Sequence, residues 1–249
     1  MRSTCTALLL ATLVVGCKNS KKEEAAPVPE KPPAAASGAA KPADDMKPEP
    51  VAKAPAAGGG EVRAPVAADL AEYTKDITGT GPLTATIETS LGAFHCELFG
   101  DKAPATVANF VGLATGKKAW KNPQTGAAET GKPFFDGLTF HRVIPGFMVQ
   151  GGDPLGTGGG DPGYEFADEV NNGLTMKPGT LAMANRGPNT NGSQFYITEG
   201  SPTQLENKYS IFGLCKEVDL VKKIAGVPRS RNDKPDSPVT ITKITFAKS

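Results

Sequence analysis

The stretch Phe140-His-Arg-Val-Ile-Pro-Gly-Phe-Met-Val-Gln-Gly-Gly-Asp153 decides how the rest of the chain is read. It sets one permanent cation, Arg142, beside apolar Val143, Ile144, Phe147 and Met148. One amide, Gln150, and a Gly-Gly turn follow. If Val143 to Gln150 is extended, alternation puts Phe147 and Met148 on opposite faces, unless Pro145 and Gly146 bend the strand. A second stretch answers the first: Leu181-Ala-Met-Ala-Asn-Arg-Gly-Pro-Asn-Thr-Asn-Gly-Ser-Gln-Phe-Tyr-Ile-Thr198.

Together the two stretches resemble the cyclophilins, the cyclosporin-sensitive family of peptidyl-prolyl isomerases. The resemblance runs from about Leu83 to Phe246, and Phe134-Phe-Asp-Gly137, Thr175-Met176 and Gly179-Thr180 also match. It implies a mainly β fold: a closed antiparallel eight-stranded barrel with two capping helices. It implies that Arg142 is the catalytic arginine. Phe147, Met148 and Leu205 match residues lining the proline pocket, and Tyr196 keeps a ring where many members carry Phe. Gln150, Ala184, Asn185 and Gln194 match positions that bind the substrate backbone and support the arginine. His141 precedes the arginine in the pattern and reads as structural. Two positions depart. Gln204 stands where eukaryotic members commonly have Trp, and Tyr209, a substrate-site position, stands where they commonly have His. These departures bear on cyclosporin affinity more than on activity.

Working outward, Thr84-Ala-Thr-Ile-Glu-Thr89 alternates, Ser90-Leu-Gly92 turns, and Ala93-Phe-His-Cys-Glu-Leu-Phe99 resumes, which makes a hairpin. His95 stands in it with no ligand partner nearby in sequence. Val107, Phe110, Val111 and Ala114 form an i, i+3, i+4, i+7 stripe after Pro104, expected to cover an open end of the barrel. Lys117 to Pro133 reads as a polar inserted surface loop; the alternative is that Trp120 packs near the substrate groove. Gly156-Thr-Gly-Gly-Gly-Asp-Pro-Gly163 lacks the Gly-Lys-Ser/Thr ending of a phosphate cradle and reads as a turn-rich loop. Tyr209 to Gly213 is a strand, Leu220, Val221 and Ile224 suggest a second helix, and Val239 to Phe246 alternates as a closing strand.

The first 82 residues have a different character. Residues 1–16 form an export signal, with Arg2 before a short apolar run from Ala7 to Val15. That run is too short to span a bilayer as a helix of about 20 residues. Leu13-Val-Val-Gly-Cys17 resembles the bacterial lipobox, which implies acylation of Cys17; the alternative is an ordinary secretory signal. Residues 17–68 are rich in Ala, Pro, Lys and Glu and read as a disordered linker. Residues 69–82 are a lead-in, in which Leu70, Tyr73 and Ile77 could share one side of a short helix. The isomerase domain is then 83–249.

Composition excludes several functions. The chain has 249 residues and a formal charge of +1, which gives no argument for nucleic acid. With 2 His, 4 Cys, no Cys-x-x-Cys and no His-x-x-x-His, neither a metal nor another cofactor is expected. Export leaves Cys96 and Cys215 in an oxidising compartment. Mapped onto the cyclophilin fold they fall on strands of one barrel, as either a disulfide or two buried free thiols.

The chemistry asked of the site is modest. An X-Pro bond rotates slowly because amide resonance makes a barrier of about 20 kcal/mol, and a millionfold acceleration needs only about 8 kcal/mol. The twisted transition state localises the nitrogen lone pair, and a fixed donor there stabilises it. Arg142 suits that role, since its guanidinium stays charged and presents a rigid fork of donors. The expected function is a monomeric prolyl isomerase for unfolded proline-containing polypeptides, lipid-anchored in the cell envelope at the outer membrane and facing the periplasm. The alternative is a non-catalytic proline-peptide-binding module on a lipid tether.

Overall fold

The structure, a computed structural model, describes residues 60–248. The signal, Cys17 and the linker through residue 59 lie outside the described residues. Among those described, no helix is long and apolar enough to cross a membrane.

The alternating hairpin becomes β1 (Leu83–Thr89) and β2 (Gly92–Leu98), with Thr89 opposite Gly92. Ala85, Ile87, Phe94, Cys96 and Leu98 turn inward, while His95 and Glu97 stay exposed, as period-2 alternation requires. Helix α1 spans Asp69–Thr74 and α2 Pro104–Ala114. A two-residue pair, β3 (Trp120–Lys121) and β4 (Ala128–Glu129), forms a small separate sheet. The remaining elements are β5 (Arg142–Ile144), β6 (Met148–Gly151), β7 (Thr180–Met183), β8 (Phe195–Thr198), β9 (Ile211–Cys215), α3 (Val218–Ala225) and β10 (Ile241–Lys248). Eight strands make one curled antiparallel sheet in the order β10-β1-β2-β9-β7-β8-β6-β5.

Full closure of a barrel was the expectation, and the strand ladder falls short of it. Among the described residues β10 and β5 share no continuous ladder; the sheet ends approach at a single bridge, Thr139 to Thr240. The Phe140 N–H donates to the Val239 oxygen and the Ile241 N–H to the Leu138 oxygen, both next to that bridge. Farther along, the segment facing β5 turns at Ser230–Lys234 and carries Pro235 and Pro238, which have no N–H to offer a ladder.

The core lies between the sheet and α2. Phe110 packs against Phe135, Phe195, Phe212 and Phe246, with ring centroids 5.2, 5.5, 5.3 and 6.1 Å away. The predicted stripe of α2 is buried, but so are Ala108, Asn109 and Gly112 on its other side. The reason is α1, whose Tyr73 ring lies over Gly112.

That covering begins earlier than the sequence reading placed it. The linker was expected to run to residue 68, yet Pro65 is buried, and Arg63 grips Asp69 through two hydrogen bonds of 2.8 and 2.6 Å. Burial alone would raise the pKa of Asp69, but the Arg63 contact and the Val66 N–H hold it below its ordinary value. Lys118 then donates its Nζ to the Arg63 oxygen at 2.6 Å. So the insertion from Lys117 to Pro133 is not simply a polar surface loop. Lys118 is fully buried, with its ammonium 4.3 Å from the Tyr164 ring centre. Trp120 packs edge-on against Phe134, at 4.7 Å.

Cys96 and Cys215 face each other directly in the β2–β9 register and form a disulfide. The Lys216 N–H bonds to the His95 oxygen and the Phe99 N–H to the Phe212 oxygen. The cysteines therefore occupy a non-hydrogen-bonded pair, where side chains approach most closely.

Candidate active site

The Phe140–Asp153 stretch folds into a tight hairpin rather than one strand. Pro145 fixes one φ and Gly146 takes φ +74°, so the chain reverses between β5 and β6. The Glu199 carboxylate accepts the Gly146 N–H at 2.7 Å, and the Glu199 N–H donates to the Phe147 oxygen, which pins the turn to the end of β8. This bend overrides the alternation expected of an extended segment. Phe147 and Met148 now line the same cavity, and Arg142 stands opposite Gln150 in the ladder.

That cavity holds about 180 Å³ and is lined by Arg142, Phe147, Met148, Gln150, Ala184, Asn185, Tyr196, Leu205 and Tyr209. Its floor is a small apolar cluster of its own, distinct from the main core, containing Met148, Met176, Ala182, Tyr196 and Ile211. The Tyr196 ring is 4 % exposed and meets Tyr209 edge-on at 5.8 Å. Burial pushes the Tyr196 hydroxyl far above the usual phenol range, so it is neutral throughout the working pH range. Leu205 enters from a short 3-10 turn, Thr203–Leu205, where Gln204 is exposed.

Arg142 stays half exposed, and its Nε lies 3.9 Å from the Asp233 carboxylate, which Arg229 also approaches at 3.5 Å. The contact is too long and too wet to hold the guanidinium tightly. Gln194 is the one expected site residue outside this cavity. It stands just behind, accepting from Gln150 Nε2 at 3.0 Å and donating to the oxygens of Gly158 and Gly160. The Asn185 amide is committed within the protein, to the Lys208 oxygen at 3.2 Å and to Asp168 at 3.4 Å. The main chain of Asn185, at the cavity wall, makes no hydrogen bond among the described residues.

Sequence reasoning missed three carboxylates that shape these walls. Asp168 accepts from the Asn189 N–H and from Asn191 Nδ2, holding the loop that follows β7. Glu199 caps the hairpin turn. Asp153, 1 % exposed, accepts from the N–H groups of Leu155, Thr157 and Gly158 and so holds the glycine-rich loop beneath Gln194. An aspartate just after Gly151-Gly152 and five residues before the Gly158-Gly159-Gly160 run was the available signal. His141 is buried beside Asp153 and Arg142, with neither ring nitrogen hydrogen-bonded among the described residues. Burial lowers its pKa, so it is neutral and structural. Trp120 does not line the cavity, and His95 pairs with Glu217 at 2.8 Å on the outer face of β2.

Three comparisons bear on this geometry. The family model described as cyclophilin type peptidyl-prolyl cis-trans isomerase matches residues 84–246. Peptidyl-prolyl cis-trans isomerase A of Mycobacterium tuberculosis is 49% identical over 168 residues, covering 66% of this chain and 92% of the relative. Peptidyl-prolyl cis-trans isomerase B of Streptomyces anulatus is 48% identical over 167 residues, covering 65% and 95%. A crystal structure of a Cryptosporidium parvum cyclophilin type peptidyl-prolyl cis-trans isomerase superposes with a TM-score of 0.57 at 32% identity, covering 68% of this chain and 99% of that one. With these relatives and this cavity, the chain belongs to the cyclophilin-type peptidyl-prolyl cis-trans isomerases and is an enzyme of that activity.

Proposed function

We propose that the cavity at Arg142 is the prolyl site, and that it serves the folding of exported proteins. The supporting observation is one juxtaposition: a half-exposed, loosely held guanidinium at the rim of an apolar pocket made by Phe147, Met148, Tyr196 and Leu205. The pocket takes the pyrrolidine ring, since apolar area removed from water favours binding by about 25 cal/mol per Å². Gln150 and the main chain around Ala184 and Asn185 hold the flanking amides. Arg142 donates to the prolyl nitrogen once twisting has localised its lone pair, an interaction absent from the planar ground state and therefore catalytic. No proton leaves the arginine, and no covalent intermediate is required.

The setting of that activity comes from the sequence. The short apolar signal ending at Cys17 supports a lipid-anchored protein of the cell envelope. Lys18, where inner-membrane retention in enteric-type bacteria tends to need Asp, favours the outer membrane, facing the periplasm. Two or more acyl chains give stable anchoring, at about 0.8 kcal/mol per buried methylene. The clients are unfolded or refolding envelope proteins, and the enzyme acts as a monomer.

An isomerisation assay on an Ala-Pro peptide, with purified full-length chain and chelator present, tests the catalytic reading. Acceleration well above the uncatalysed rate is expected; a rate equal to buffer alone would refute it. Fractionation tests the anchor: wild type should follow the membranes and Cys17→Ser should not. Equal membrane retention of the two would count against acylation.

A further inference from the structure

The surface does not end at the prolyl cavity. Gln150, Ala184 and Asn185 line that cavity and also a second one, shared with Asp161 and Arg186. Asp161 in turn lines a third, a shallow groove of about 530 Å³. Its far wall is the β3–β4 hairpin, with Lys121, Pro123 and Gly126, and its near wall is Gly163 to Glu165. Shared wall residues thus set the three spaces in a row from the arginine to the inserted hairpin.

The walls of the third groove are built, not merely adjacent. The Lys121 N–H donates to the Pro162 oxygen at 2.8 Å. At Gly163, φ is +88° and an added Cβ would sit 2.4 Å from the Lys121 Cβ, so only glycine lets loop and hairpin touch here. The hairpin tip is held by Asn122 Oδ1, which accepts from the N–H groups of Gln124 and Thr125. Below, the Tyr164 hydroxyl donates to Asn109 at 2.7 Å, and Asn109 donates to the Gly192 oxygen. At the junction of the second and third spaces, Arg186 reaches Glu165 at 3.1 Å and Asp161 at 3.5 Å. Both pairs are exposed, and such pairs are weak enough for a passing chain to displace.

We propose that the hairpin-walled groove is a distal subsite that takes the substrate polypeptide several residues from its proline, on one side only. The proposal rests on the prolyl-site reading above and adds to it a length preference: long extended chain over short peptides, set by the inserted hairpin. Continuity selects this occupant, because an extended chain advances about 3.3 Å per residue and a segment leaving the cavity past Asn185 is led to Asp161. The groove's own lining carries Lys121 against Asp161 and Glu165, and Arg186 pairs with both carboxylates from the junction, so the walls are charge-balanced and read chain length more than side-chain charge.

The test uses the full chain in detergent and Ala-Pro peptides flanked by zero, two, four or six Gly/Ser residues on either side. Extension on one side by four or more residues is expected to raise kcat/KM at least threefold, through KM. Extension on the other side should not. Amide resonances of 121–126 and 163–165 should shift with the long peptide only, while those around Phe147 and Tyr196 shift with both. Shifts confined to the cavity with either peptide, or equal gains on both sides, overturn the distal subsite and leave the prolyl site standing. Absence of shifts at Phe147 and Tyr196 together with no catalysis overturns both.

Discussion

The large core beneath α2 and the small cluster beneath the cavity are both apolar, but they treat charge in opposite ways. Near the core, Lys118 is fully buried, hydrogen-bonded at 2.6 Å and seated over an aromatic ring. At the rim of the small cluster, Arg142 is half exposed, and its nearest carboxylate is 3.9 Å away. A cation that holds two segments together is desolvated and given acceptors. On the proposed mechanism, a cation that must meet a charge density existing only in a transition state is left uncommitted. The contrast implies that stability belongs largely to the first region and activity to the second.

The largest expected effect is on the scaffold. Replacing both Cys96 and Cys215 by Ala removes a cross-link spanning a sequence separation of 119. In the chain-entropy account that should cost on the order of 4 kcal/mol of unfolding free energy in denaturant titrations. The kcat/KM of the folded variant should remain within about twofold of wild type. A loss of activity matching the loss of stability would break the separation of the two regions.

Next comes the site. Arg142→Ala should lower kcat/KM at least a hundredfold, about 3 kcal/mol of transition-state stabilisation, with little change in Tm. Wild-type rates in a folded Arg142→Ala protein would sink the proposed mechanism.

Lys118 sharpens the comparison through pH. Burial lowers its pKa from 10.5 to about 8, so between those values the unfolded chain binds the extra proton. Stability should therefore rise as pH increases from about 8 toward 10.5, by on the order of 3 kcal/mol. Unfolding titrations at several pH values should lose this rise in Lys118→Ala. An identical pH dependence in the variant would show that the lysine is not what titrates.

The smallest effect concerns the exposed edge of the site. Gln204 offers less apolar area than the Trp common at this position, so cyclosporin should inhibit weakly. Gln204→Trp should tighten inhibition about tenfold, close to 1.4 kcal/mol. No change on substitution would mean that Gln204 is misaligned with that Trp.

Much of this was legible in the sequence, because alternation and turn chemistry act locally. The β1–β2 hairpin, the α2 stripe and the reversal allowed by Pro145-Gly146 all follow from residues within about fifteen positions of each other. Nine expected site residues line one cavity because the resemblance supplied their long-range pairing, which spacing alone could not. What stayed hidden depends on partners distant in sequence. Residues 62–68 look like linker by composition and pack only because Arg63 finds Asp69 and Lys118. Lys118 itself reads as a surface lysine until Tyr164 is placed beneath it. The incomplete ladder between β10 and β5 reflects two prolines whose effect appears only once the sheet has curled.

The Asp153 loop has one more consequence. Successive backbone N–H groups turned to one point, here those of Leu155, Thr157 and Gly158, form the kind of nest that many proteins use to hold a phosphate. Here the anion is part of the chain: the Asp153 carboxylate fills the nest, and an added side chain at Gly160 would collide with it. Burial would raise its pKa, but the donated N–H groups outweigh this and hold it below 3.8. The loop's shape is therefore fully supported above the ordinary aspartate range and fails only as pH falls through the lowered value. An enzyme whose groove wall carries a built-in counter-anion needs no bound ion to stay formed, and it keeps that wall through mild acidification of its surroundings.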